Sequence, residues 1–140
     1  MINDKLNKEI LDSINENKTE ITGIQGKIIW TNQYPTNSFS NQNITLSEAL
    51  NNFDSYEILF AQAKLNADPT NSGNRLMSTG KIPIGYGTVL NYAVNNRYRL
   101  VERPSGNTLI AIQDAYNGGQ VDNEKCVPIF VIGYNTGLFS

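Results

Sequence analysis

The chain has 140 residues, 39% of them hydrophobic, with 11 basic against 13 acidic side chains and a net charge of −2. That is enough for one ordinary domain and a short appendage; it carries no basic run suited to nucleic acid and no apolar stretch of the roughly 20 residues that cross a bilayer. Histidine is absent, which removes the commonest general base and metal ligand, and a single cysteine excludes an internal disulfide.

Residues 1–26 read as a helical neck. "MINDKLNKEILDSINENKTEITGI" has no proline and carries charges every few positions. Ile10, Ile14, Ile21 and Ile24 recur at spacings of 4, 7 and 3. With Ile14 and Ile21 at heptad position a, Ile10 and Ile24 fall at d and Asn17 takes the d position between them. Isoleucine at both a and d favours three strands, and a polar residue in the seam fixes register. Leu6 and Leu11 lie off this seam, so the repeat is short. The alternative is one amphipathic helix packing on its own domain. Gly23 and Gly26 end the helix.

From Lys27 to Ser140 the pattern is β. Runs of β-branched and aromatic residues predict strands at 27–31, 42–46, 56–64, 81–84, 88–94, 97–102, 108–114 and 127–134. Asn, Gly, Pro and Ser clusters separate them, and the 20 asparagines suit such corners. "VNNR" (94–97) and "PSGN" (104–107) predict tight hairpins. "SEALNNFDS" predicts a helical turn with Ser47 as N-cap. Cys126, inside an apolar strand, reads as a small buried hydrophobe. About eight short strands with frequent turns point to an antiparallel β-sandwich or jelly-roll-like head.

Several stretches carry a family likeness. "GKIIWTNQYPTNSFSNQNITLSEALNNFDSYEILF" and the closing "CVPIFVIGYNTGLFS" resemble the C-terminal β head of bacteriophage and prophage tail-fibre or baseplate proteins. The similarity is to the siphovirus receptor-binding kind from Gram-positive hosts, and it spans essentially Lys27 to Ser140. The resemblance implies a homotrimer at the virion tail tip, made in the host cytoplasm, that binds cell-surface carbohydrate beside other tail or baseplate proteins. In a trimer, Leu138 and Phe139 bury against a neighbouring copy, worth ~3 kcal/mol for the pair at about 25 cal/mol per Å². The alternative folds them back onto their own sandwich.

The residues themselves offer little catalysis. Without histidine there is no Ser-His or Cys-His nucleophile, and no Cys/His metal set exists. The Asp122–Glu124 loop has oxygens for calcium, but such clusters are usually solvated turns, so no metal or cofactor is expected. Among Glu48, Asp54, Glu57, Glu102 and Asp114, no spacing selects a pair for glycoside cleavage. Sugar binding calls for aromatic faces with amide and guanidinium donors. Tyr34, Tyr86, Tyr98 and Tyr116 stand at turn borders, whereas Trp30, Phe53, Phe60 and Phe130 read as core. In a regular strand Arg97, Arg99 and Arg103 share one face, a stripe suited to a phosphate-bearing teichoic acid. The alternative is cross-strand pairing with Glu102. The expected function is saccharide binding without cleavage; a purely structural tail component and, third, a glycan-degrading enzyme are the alternatives.

Overall fold

The computed structural model describes residues 7–10, 12, 26–92, 96–104 and 107–137. Among these residues ten strands follow in chain order: β1 (Lys27–Thr31), β2 (Gln42–Thr45), β3 (Ser55–Ala63), β4 (Leu76–Ser78), β5 (Ile82–Pro83), β6 (Thr88–Tyr92), β7 (Arg97–Val101), β8 (Leu109–Asn117), β9 (Gln120–Val121) and β10 (Lys125–Tyr134). They form two antiparallel five-stranded sheets. Sheet A runs β1-β10-β3-β4, with β5 also on β3; sheet B runs β2-β8-β7-β6, with β9 on β8.

Both sheets feed one core. Ile29, Ile58, Phe60, Val127 and Val131 come from sheet A; Ile44, Leu90, Val101, Ile110 and Ile112 come from sheet B. Fully burying each such side chain is worth about 1.5–3 kcal/mol, so this shared interior is what holds the sheets face to face. The expected all-β architecture is present. A jelly roll is a hairpin rolled from its ends, and two pairs obey it: β1 with β10, and β2 with β8. The roll then stops, because β6, β7 and β8 close as a local meander while β4 and β5 stay on β3.

β10 is an inner strand of sheet A, between β1 and β3, and is buried over most of its length. A proline there lacks a ladder donor, and the register shift between Pro128 and Phe130 is where the strand absorbs it. Cys126 is buried, as expected, but with φ 48°, a left-handed backbone uncommon for a non-glycine. At Gly133 a Cβ would lie 2.7 Å from the Phe53 ring. Gly133→Ala therefore should cost about 1–3 kcal/mol by overpacking. A thermal melt checks it; an unchanged midpoint would show that the Phe53 ring swings aside.

Three local expectations change. The turn after β2 is a 3-10 helix at Leu50–Asn52 with Ala49, not Ser47, at its N-cap. The Ser47 hydroxyl instead donates to the Ile29 carbonyl at 3.1 Å, tying β2 to β1. β4 and β9, two or three residues long, were not expected from the sequence; pairing alone defines them.

Residues 7–10 and 12 are helical, and Ile10 is 51% exposed. Ile14, Asn17, Ile21 and Ile24 of the heptad seam, and Leu138 and Phe139 at the tail, lie outside the described residues. Among the described residues, no helix is long and apolar enough to cross a membrane.

Candidate functional site

The strand β7 decides what the outer face of sheet B presents. By hydrophobicity its sequence RYRLV would turn Tyr98 and Leu100 inward and the arginines outward. The structure does the reverse: Arg99 and Val101 are buried, while Leu100 is exposed and Tyr98 faces out. Arg99 is 0% exposed. Its Nε donates to the Cys126 carbonyl at 2.9 Å, Nη1 to Gln113 at 2.7 Å and Nη2 to Lys125 at 3.1 Å. Its guanidinium also lies 5.2 Å from the Phe39 ring centroid, a cation–π contact. The positive φ of Cys126 breaks the carbonyl alternation of a regular strand, so the Lys125 and Cys126 oxygens both reach the same guanidinium. Burial pulls the Arg99 pKa down to about 10, which still leaves it charged at neutral pH.

This corrects the expected arginine stripe. Arg99 has no surface to offer a ligand, and Arg103 lies exposed beyond the end of β7. Arg97 is half-buried at the rim of sheet B. The Glu102 carboxylate accepts from the Gln113 side chain.

With β7 turned this way, its outward residues complete an aromatic row. Asn91 pairs with Tyr98, Tyr98 with Tyr116 and Tyr116 with Val121, across β6, β7, β8 and β9. The two tyrosine rings stack at 5.8 Å between centroids, 26° from parallel. Val89 and Leu100 extend the face, 43% and 37% exposed. Arg97, Tyr98, Asn91, Asn96 and the Gly118–Gly119 turn line a depression of about 870 Å³ there. Thus three of the expected residues, Arg97, Tyr98 and Tyr116, come together.

Two do not join them. Tyr86 is 64% exposed on the β5–β6 connection, where its carbonyl accepts from the buried Tyr56 hydroxyl. Tyr34, 69% exposed, stands on the β1–β2 connection beside a separate groove. Sequence reasoning missed Val89, Asn91, Leu100 and Val121, since only sheet pairing places them around the tyrosines.

The acidic residues considered for hydrolysis are engaged in holding the fold. Glu48 pairs with Lys27 at 2.6 Å, and Glu57 accepts from the Tyr134 hydroxyl at 2.7 Å and from Ser78 at 2.6 Å. Asp114 accepts from the Asn41 backbone at 2.8 Å and from Asn123 at 2.9 Å, and these bonds hold its carboxyl below the usual range. In the 122–124 loop, Glu124 pairs with Lys64 at 3.1 Å and Asn123 accepts from Ala115 N.

Asp54 anchors the Thr136–Gly137 segment. Its carboxylate accepts from Gly137 N at 2.6 Å, from Thr136 Oγ1 at 3.2 Å and from Ser55 Oγ at 3.0 Å. Burial pushes this carboxyl up, but those bonds outweigh it and hold it below 3.8. A depressed folded-state pKa contributes stability present above the unfolded value and lost as pH falls through the folded one. The Gly137 amide proton shift should therefore titrate with a midpoint below 3.8. A midpoint at or above 3.8, followed by NMR, would contradict the anchor.

Comparison with protein-family models, curated proteins and solved structures finds no match to this chain.

Proposed function

We propose that this chain is the host-recognition head of a phage or prophage tail, a homotrimer that binds bacterial cell-wall polysaccharide or teichoic acid without cleaving it. The observation that carries the reading is the stacked Tyr98–Tyr116 pair, set in an in-register row with Asn91 and flanked by Arg97. Tyrosine faces suit the C–H surfaces of sugar rings, the asparagines supply neutral donors and acceptors, and a guanidinium suits a phosphodiester. Among the described residues, no carboxylate lines this depression or the groove beside Tyr34, which favours retention over hydrolysis. The trimer rests on the heptad seam of residues 10–24 and on the likeness of residues 27–140 to trimeric tail heads.

A structural tail or baseplate role is the second reading, and the apolar members of the same face, Val89, Leu100 and Val121, favour it. Two measurements separate them. Light scattering should give about three times 15.6 kDa. A 15.6 kDa particle would remove the trimer. Pull-down on Gram-positive cell walls should retain the protein, and stripping the wall polysaccharide should release it. Equal retention on stripped walls, or none on intact ones, would overturn receptor binding.

A further inference from the structure

β1 is an edge of sheet A and β2 an edge of sheet B, and among the described residues no strand covers the gap between the sheets on that side. A groove of about 720 Å³ opens there, within the range of small-ligand sites. Trp30 forms part of its wall, half-buried and edge-on to Phe39, with centroids 6.2 Å apart and planes at 83°. Tyr34 stands at its rim.

The segment that carries Tyr34 has no regular secondary structure, yet it is pinned at several points. Asn32, buried, donates through Nδ2 to the Pro128 carbonyl at 2.9 Å and accepts from Tyr34 N at 2.8 Å. Leu65 N donates to the Pro35 carbonyl at 2.7 Å, Asn37 N to the Tyr34 carbonyl at 3.0 Å and Phe39 N to the Asn123 carbonyl at 2.9 Å. Tyr34 is thus an aromatic side chain held out to solvent on a fixed turn. Ordering costs that usually oppose binding at a loop are already met.

Among the described residues the lining is free of charge. Its polar members are amides and hydroxyls, among them Gln33, Asn37 and Gln42, and no described Lys, Arg, Asp or Glu contributes. That chemistry differs from the depression on sheet B, where Arg97 sits. A charged polymer gains nothing here, whereas a neutral sugar finds aromatic faces for its C–H groups and amides for its hydroxyls. We infer that the β1–β2 groove is a second, independent saccharide site that takes an uncharged sugar unit between Trp30 and Tyr34.

Trp30 is the chain's only tryptophan, so its emission reports on this groove. The intact protein is titrated with maltotriose, the trisaccharide of N-acetylglucosamine, and polyglycerol phosphate. A saturable change in Trp30 emission with a neutral trisaccharide is the expected result, with none from the polyanion. Tyr34→Ala should weaken the apparent affinity about tenfold, Tyr34→Phe should preserve it, and Tyr98→Ala should leave it unchanged. No saturable change with either neutral trisaccharide up to about 10 mM, or one that survives Tyr34→Ala, would overturn the inference. Cell-wall retention that depends on Tyr98 while Trp30 stays silent would sink this site and leave the sheet B reading intact.

Discussion

Arg99→Ala should destabilise the protein by about 3–5 kcal/mol, the combined effect of a buried cavity and three lost charge-assisted hydrogen bonds at roughly 1 kcal/mol or more each. Among the described residues Arg99 is the largest fully buried side chain, and its guanidinium joins the two sheets: it stands on β7 of sheet B and bonds to two successive carbonyls of β10 in sheet A. Its third bond, to the Gln113 carbonyl, falls on β8, in the same sheet as its own strand. A lysine presents a point charge where this site needs a fork, so Arg99→Lys should recover at most part of the loss. Arg99→Met fills the volume and removes the buried charge, yet it still takes away the guanidinium's three hydrogen bonds. Chemical denaturation of the three variants ranks these effects. A loss under about 1 kcal/mol for Arg99→Ala would mean that water replaces the guanidinium at all three oxygens.

The same residue shows where a single sequence stops being informative. The class of fold was legible because patterning is local: the strands at 27–31, 42–46, 56–64, 88–94, 97–102 and 127–134 overlap the observed ones closely. Period-two alternation also placed Arg97 and Arg99 on one side of β7 and Tyr98 and Leu100 on the other. What alternation cannot supply is which side meets the core. Hydrophobicity alone chooses Tyr98 and Leu100, and the choice is reversed by Val101 and by three carbonyls presented from β8 and β10, the latter 26 and 27 residues away. The left-handed backbone at Cys126 that aims two of them carries no glycine or asparagine to announce it. The aromatic row was half legible for the same reason. Tyr98 and Tyr116 were identifiable one by one at turn borders, but their stacking depends on the β7–β8 register. β4 and β9 were invisible because strands this short take their identity from the neighbour they pair with.

Turning Tyr98 outward has a consequence for binding that should exceed its local energy. An exposed aromatic face against a sugar ring is worth about 1 kcal/mol, too little for one copy to hold a cell. In the proposed trimer, three copies engaging a glycan-coated surface together would convert that loss into ~3 kcal/mol, so on that reading Tyr98→Ala should lower retention on immobilised cell wall by about 100-fold. Tyr116→Ala should fall between this variant and the parent, since Tyr116 supports the Tyr98 ring from behind in the stacked pair. Tyr98→Phe keeps the ring and should retain binding. The measurement is dissociation from a wall-coated sensor at two coating densities. The deficit should shrink at sparse coating, where single engagement dominates, to the roughly fivefold that ~1 kcal/mol implies. Were Tyr98→Ala to dissociate like the parent at both densities, the tyrosine row would be excluded as the contact. A deficit independent of density would leave Tyr98 in the site but show that only one copy engages at a time.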